Sequence, residues 1–221
     1  QFDADMLEAR RRIEAFPWRD QGAYALYMKQ TEYFTSHSPT ILNLVAQRFP
    51  PGHIMHERFS AHTREETGHD SLATRDVRNL GYDPEELPVL SITKSFIHAQ
   101  YHWLETVSPY SLFGWILLLE SCAAEIAPGI LPDLIDEYGN DGTKFLRLHA
   151  ALDPYHTDEA WETIEQLSEE EFGQIWENCR QSVDNYLMIF DDIELGLALQ
   201  TATSIPNRSR YWSLDRTLAS A

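Results

Sequence analysis

Cysteine is scarce in this 221-residue sequence, which contains only Cys122 and Cys179. The two residues lie far apart and form no CxxC spacing. This scarcity argues against a disulfide framework and against a metal site built from thiolates. It fits a protein of the reducing cytoplasm, which is where we expect this chain to act.

Basic residues are also few. The chain has 17 lysines and arginines and 35 aspartates and glutamates, which gives a formal net charge of -18. Such a charge repels phosphate backbones and anionic lipid surfaces, so we expect no nucleic-acid partner. The most apolar stretch, residues 112–119, is far shorter than the ~20 residues that a membrane-spanning helix needs. It predicts a buried core helix, and we expect no membrane partner.

Strand signals are almost absent, whereas signals for helix starts recur along the chain. Two Ser-Pro pairs, at residues 38–39 and 108–109, place a capping serine before a proline, and Ser168 forms a capping box with Glu171. Breaks fall at Gly and Pro clusters, among them Pro128-Gly129. The predicted helices cover residues 3–16, 20–36, 39–49, 53–80, 88–107, 109–127, 142–152, 156–166 and 169–203.

The breaks between these helices are too short to be linkers between domains. We therefore predict one all-α domain over residues 1–221. The polar tail after about residue 205 need not be ordered, which is ordinary for a terminus.

A first group of metal-ligand residue types lies in the predicted helix 53–80. His62, Glu65, Glu66 and His69 fall on one helical face, at ~100° per residue. The alternative is a solvated helix face, on which such a group of polar residues is common. However, Glu66-x-x-His69 matches the carboxylate-histidine pair that di-iron bundles project inward from one helix.

A second group, His149, Asp153 and His156, has the spacing i, i+4 and i+7. Pro154 removes a backbone donor, so it either kinks the helix or starts a new one after a capping Asp153. Both geometries leave the two histidines close enough to share one metal site. The alternative is a pair of histidines at a helix end without a ligand role.

Glu120 interrupts an otherwise apolar helix, and a carboxylate there must be paired or bound to a metal to tolerate burial. A salt bridge to an arginine is the alternative, although few basic residues flank it. Glu32, on an earlier helix, is a weaker candidate that a surface role explains as well.

Carboxylates and imidazoles without thiolates suit Fe(II), Mn(II) or Zn(II). Six or seven such ligands exceed what one tetrahedral zinc ion uses, so the sequence predicts two metals, and iron is the natural choice for oxygen chemistry. The predicted ligands are His62, Glu66, His69, Glu120, His149, Asp153 and His156, with Glu32 and Glu65 as less certain members.

In this order and spacing, the residues resemble the haem-oxygenase-like di-iron oxidase family, and the triplet of His149, Asp153 and His156 is the most specific part of the match. The resemblance implies a haem-oxygenase-like helical bundle that holds two iron ions and uses O2 as co-substrate. Members often carry a glutamate seven residues before the first histidine ligand, and here that position is His62. Either His62 replaces the glutamate, or Glu65 and Glu66 take its place.

The resemblance also implies O2-dependent oxidation of a small molecule, by N-oxygenation, oxidative decarboxylation or carbon-carbon cleavage. We expect a small amine or amino acid, with an aromatic one attractive because of the aromatic content, and a fatty acid is the alternative substrate. Two different kinds of protein also fit the sequence: a metal-free, thiaminase-like enzyme that uses Cys122, and an acidic helical binding module without enzyme activity. The chain could assemble as a homodimer.

Overall fold

Nine α-helices build residues 2–202, the part of the chain that the computed structural model describes. A short 3-10 turn, Pro109–Ser111, leads into α6, and a π-helical segment, Cys122–Ile126, joins α6 to α7. No strand occurs within these residues, so the prediction of an all-α fold is confirmed. The predicted tail after residue 205 lies outside the described residues. The helices are α1 Phe2–Ala15, α2 Gln21–Ala46, α3 Ile54–Glu66, α4 Asp70–Asn79, α5 Ser91–Thr106, α6 Leu112–Ser121, α7 Ala127–Tyr138, α8 Lys144–Ile164 and α9 Glu169–Ala202.

The prediction that a new helix begins at Ser38-Pro39 is wrong, because Pro39 lies inside α2. A proline in a helix interior removes one backbone hydrogen bond. Ile41 and Leu42, just beyond it, are fully buried in the same core as the first half of the helix. Their burial favours a continuous helix strongly enough to offset the lost bond.

The predicted helix over residues 53–80 is in fact two helices, α3 and α4. The chain leaves α3 at Thr67, and Gly68 has a φ of +92°, in the left-handed region that glycine adopts most readily. His69 therefore lies at the N-terminus of α4 and does not share the face of α3 that carries His62.

The helix around α6 is longer than predicted, because no break occurs at Pro128-Gly129. Pro128 lies in the first turn of α7, directly after the π-helical segment, where a missing N–H is tolerated. The resulting stretch, Pro109–Tyr138, is the one part of residues 2–202 long and apolar enough to cross a membrane by composition. More than half of its most apolar window is buried inside the bundle, which is typical of a core helix.

The predicted break between residues 152 and 156 is also absent, since α8 runs without interruption through Pro154. This continuity keeps His149, Asp153 and His156 on one helical face.

Close packing places α6 at the centre of the bundle, where it contacts α8 and α9. At Gly114 the crossing with α9 is so tight that a Cβ atom would lie 2.3 Å from the carbonyl oxygen of Ile175 and 2.5 Å from the backbone nitrogen of Cys179. Glycine is therefore required there. Because α6 also packs against α8, and α4 packs against α8, the polar residues of several helices meet in one region.

Candidate metal centre

The candidate site lies where α3, the α3–α4 junction, α6 and α8 meet. Each of its side chains is buried or nearly so, although all are polar. The structure brings all seven of the main predicted ligands together here: His62, Glu66, His69, Glu120, His149, Asp153 and His156.

One half of the site, the Glu120 cluster, consists of His62, Glu120 and His156. The Nε2 atom of His62 lies 3.4 Å from Oε1 of Glu120, and Nδ1 of His156 lies 3.9 Å from the same oxygen. One ligand atom from each of the three residues lies within 4.8 Å of the others, which is close enough to hold one metal ion.

The other half, the Glu66 cluster, consists of Glu66, His69 and His149. Nδ1 of His69 is 3.4 Å from Oε1 of Glu66, and Nε2 of His149 is 4.0 Å from Oε2 of Glu66. Their ligand atoms also lie within 4.8 Å of one another. Nε2 of His62 is 3.9 Å from Oε1 of Glu66, so the two clusters are immediate neighbours.

Asp153 adds a third carboxylate beside the Glu120 cluster. Its Oδ1 lies 3.4 Å from Nδ1 of His156, and the residue is 4% exposed. It occupies the position between the two histidines of α8 that the spacing in the sequence predicts.

Several buried ligand-type atoms have no hydrogen-bond partner among the described residues. They are both carboxylate oxygens of Glu120, Nδ1 of His69 and Nδ1 of His156. Leaving a buried polar atom unpaired is costly, by about 1–3 kcal/mol and by more for a charged group. Divalent cations held by these atoms would satisfy them, so the residues fit a metal centre.

The environment shifts the pKa values of the site residues in different directions. For His149, burial would lower the pKa but the carboxylates of Glu66 and Asp153 raise it, and for His156 the neighbouring Asp153 raises it. Burial lowers the pKa of His62 to about 4, so the imidazole is uncharged at neutral pH.

Burial alone would raise the pKa of Glu66, but the neighbouring imidazoles of His149 and His69, whose ring nitrogens lie 4.0 and 3.4 Å from its carboxylate oxygens, hold that pKa well below its usual range. His149 donates from Nδ1 to the carbonyl oxygen of Phe145 at 3.0 Å, which leaves the lone pair on Nε2, the nitrogen that faces Glu66.

The two less certain predicted ligands do not belong to either cluster. Oε2 of Glu65 is 3.4 Å from Nε2 of His156, but the side chain of Glu65 is 55% exposed, on the outer side of the histidine. Glu32 on α2 pairs with Lys29, whose Nζ donates to Oε2 of Glu32 at 2.7 Å.

Arg58, one helical turn before His62, is a neighbour of the site that sequence reasoning missed. Its Nη1 donates to Glu159 at 3.0 Å, and its guanidinium carbon lies 5.5 Å from the centre of the Phe113 ring. The i, i+4 spacing from His62 is a signal that could have indicated it.

A cavity of about 90 Å³ extends from the site into the bundle. Five of the predicted ligands contribute to its lining, and most of the remaining wall is apolar or aromatic. Two tyrosines, Tyr27 and Tyr186, also line it, and their hydroxyl oxygens are hydrogen-bonded to each other at 2.8 Å. The metal-ligand residue types are thus adjacent to a space that could hold a small apolar molecule.

Comparison with known families assigns the chain to one of them. The profile that describes the iron-containing redox enzymes matches residues 25–186, a range that contains every predicted ligand. The chain belongs to this family. Comparison with curated proteins finds no match.

Two solved structures show the fold of this iron-containing redox enzyme. A domain of unknown function with a heme oxygenase-like fold, from Shewanella denitrificans, is 19% identical with a TM-score of 0.80, over 94% of this chain and 96% of that chain. A TenA homolog from Pseudomonas syringae pv. tomato is 14% identical with a TM-score of 0.73, over 87% of this chain and 90% of that chain. The predicted haem-oxygenase-like fold is therefore confirmed.

Cys122, the residue of the metal-free alternative, also lines the cavity of this family member. Burial is the main reason why the pKa of its thiol is raised far above the usual value. A nucleophilic cysteine needs a lowered thiol pKa, because the thiolate is the reactive form. The environment of Cys122 therefore argues against a cysteine mechanism.

Proposed function

We propose that this protein is an O2-dependent, non-haem di-iron oxidase or oxygenase that acts on a small amine or amino acid in a biosynthetic pathway. The observation that carries the proposal is the presence of two adjacent clusters, each made of two histidines and one carboxylate. That donor composition is typical of non-haem Fe(II) oxygenases, in which open coordination positions remain for O2 and substrate.

The two clusters would each hold one iron ion. Asp153 would add its carboxylate to the ion of the Glu120 cluster, because it lies beside His156. Glu66 would help to hold the ion of its own cluster and lies beside the other cluster, since Nε2 of His62 is 3.9 Å from its Oε1. Two Fe(II) ions carry four positive charges, and the three buried carboxylates would nearly balance them.

When bound, the iron ions would supply the redox chemistry that activates O2 and oxidises the substrate. The residues of this chain would bind the ions, fix the orientation of the ligands and exclude water. The hydrogen bond from Nδ1 of His149 to Phe145 holds one imidazole with Nε2 toward Glu66. The apolar wall of the cavity would keep bulk water away from reactive species.

The lining of the cavity also indicates which class of substrate would bind. Its apolar and aromatic wall favours a small amine or amino acid with an apolar or aromatic side chain, whose polar group would face the clusters. The same wall could bury the chain of a fatty acid, which is therefore the second candidate.

An anaerobic Fe(II) titration followed by exposure to O2 tests the proposal. We expect two Fe(II) per chain, and O2 consumption that depends on a small amine or amino acid. Glu120→Gln should lose one iron and most of the O2 consumption. Glu125→Gln is the matched control, because Glu125 follows on the same continuous helix but its side chain is 52% exposed and pairs with Arg10.

Two outcomes would contradict the proposal in different ways. Saturation at one ion, with and without substrate, would contradict the two-metal site. Two bound irons without O2 consumption for any amine, amino acid or fatty acid would contradict the oxygen chemistry.

A further inference from the structure

His156 has a carboxylate on each side of its ring. On the inner side, its Nδ1 lies 3.4 Å from Oδ1 of Asp153 and 3.9 Å from Oε1 of Glu120. On the outer side, its Nε2 lies 3.4 Å from Oε2 of Glu65. The two nitrogens of this imidazole therefore face different environments.

The inner nitrogen is the one placed to bind a metal. Nδ1 is buried and has no hydrogen-bond partner among the described residues, as is also true of both oxygens of Glu120. An ion shared by Glu120 and Asp153 would reach Nδ1 of His156 and not Nε2. The proton of the neutral imidazole must then reside on Nε2, the nitrogen that faces Glu65.

We propose that Glu65 is a positioning residue, which accepts a hydrogen bond from Nε2 of His156 and does not bind metal itself. This inference rests on the proposed two-metal site. Histidines that bind metals usually donate their other N–H to a carboxylate, a carbonyl or a water, and this fixes both the tautomer and the orientation of the ring.

The helix geometry explains why adjacent glutamates would have different roles. Consecutive residues of α3 point about 100° apart. The side chain of Glu66 is 11% exposed and belongs to one cluster, 3.9 Å from His62 of the other, whereas that of Glu65 is 55% exposed and lies outside both. Glu65 also reaches from α3 to α8, the two helices that the Arg58–Glu159 ion pair joins at 3.0 Å.

The size of the expected effect follows from this exposure. Loss of a carboxylate that orients a metal-binding histidine typically weakens metal binding by about 10–100-fold. Water competes for the exposed carboxylate of Glu65, so we expect the lower end of that range, about tenfold.

The first test determines which nitrogen of His156 carries the proton. Zn(II) is a suitable probe because it is diamagnetic and has no redox chemistry. Nitrogen-15 NMR of the Zn(II)-loaded protein, labelled at histidine and assigned with His156→Gln, should show His156 with its proton on Nε2 and its metal on Nδ1. A proton on Nδ1 would overturn the inference.

The second test measures Zn(II) affinity and stoichiometry in variants. Glu65→Ala should keep two ions at saturation but bind the ion of the Glu120 cluster, which contains His156, about tenfold less tightly. Glu65→Gln, whose amide oxygen can still accept the hydrogen bond, should lose less affinity. Asp158→Asn is the control, because it removes the same charge from an exposed position two residues beyond His156 on α8, and its effect should be less than about twofold.

The remaining outcomes are distinct. If Glu65→Ala loses one ion completely at saturating Zn(II), Glu65 is a ligand and the inference is wrong. If its affinity equals that of Asp158→Asn, Glu65 has no positioning role. A protein that binds two Zn(II) as described but consumes no O2 with iron would contradict the proposed function and leave this inference standing, whereas a protein that binds no metal would contradict both.

Discussion

Replacement of Glu120 by leucine should have opposite effects on the stability of the metal-free protein and on its affinity for metal. Glu120 is 5% exposed on the apolar helix α6, and neither carboxylate oxygen has a hydrogen-bond partner among the described residues. Burial, with a smaller contribution from Asp153, raises the pKa of Glu120 well above its usual value. We therefore expect Glu120→Leu to stabilise the metal-free protein and to weaken iron binding.

The magnitude follows from the cost of a buried ionisable group. Replacing buried ion pairs by apolar residues of similar volume is often neutral or stabilises a protein by about 1–4 kcal/mol, which sets the scale for a single buried carboxyl group. A carboxyl group that stays protonated avoids the full cost of a buried charge, so we expect the lower half of this range, about 1–2 kcal/mol. In a protein of this size, that gain raises Tm by about 2–8 °C.

We would measure the Tm of both proteins by circular dichroism, first with EDTA and then with excess Fe(II) under anaerobic conditions. Iron binds the folded state and so stabilises the wild type, but it should stabilise the variant less. The order of the two Tm values should therefore reverse when iron is added. Glu125→Leu, at an exposed position, controls for the added leucine and should show neither effect.

Two results would refute this reasoning. If the metal-free Glu120→Leu variant unfolds at a lower temperature than the wild type, the buried carboxylate is satisfied without metal. If Fe(II) raises the Tm of both proteins equally, Glu120 does not bind iron.

Three further predictions concern other residues of the site and its support. Asp153→Ala should reduce bound iron from two ions per chain to about one and abolish most O2 consumption, because a charged ligand is lost; full iron content with normal O2 consumption would show that Asp153 is not a ligand. Cys122→Ala should keep O2 consumption within about threefold of the wild type, because a buried free cysteine usually has only a packing role; complete loss with iron content intact would favour a cysteine mechanism. Asp76 on α4 is fully buried and accepts a hydrogen bond at 2.8 Å from the backbone N–H of Phe145 on α8. Burial raises its pKa to about 6 from 3.8, so its contribution to stability is fully present below pH 3.8 and is lost as the pH rises through about 6. Denaturation of the metal-free proteins gives the difference in unfolding free energy between the wild type and Asp76→Asn. This difference should fall by at most about 3 kcal/mol between pH 4 and pH 7, and a difference that does not change with pH would contradict the raised pKa of Asp76.

The sequence predicts the fold class well because its helical signals agree with one another. The capping box at Ser168 is present as predicted, since the backbone N–H of Ser168 donates to Glu171 at 2.8 Å and that of Glu171 donates to the Ser168 hydroxyl at 3.3 Å. Proline was the misleading signal. Pro39 and Pro154 lie inside helices, because tertiary packing outweighs the single hydrogen bond that each removes.

The grouping of the candidate site residues could be predicted from spacing, but the path of the chain between them could not. His149, Asp153 and His156 share a face because α8 is continuous, which brings residues with the spacing i, i+4 and i+7 together. His69 reaches Glu66 by another route, since the left-handed Gly68 ends the helix between them. A glycine within a helical pattern is compatible with both a continuous helix and a turn, so only packing decides between the two.

The separate environments of Glu65 and Glu66 depend on packing in the same way. Both residues fall within the polar face that the sequence defines, and a helix rotation of about 100° would exchange their positions. The packing of α3 against α2, with Met55 and Phe59 buried on the same face, fixes that rotation, so that Glu66 lies inside and Glu65 outside. Residue type alone identifies both as ligand candidates, whereas burial distinguishes them. A buried carboxylate between imidazoles is stable only if its charge is compensated, and an exposed one needs no metal to remain ionised. The difference in exposure between the two neighbouring glutamates therefore favours Glu66, and not Glu65, as the residue that binds iron.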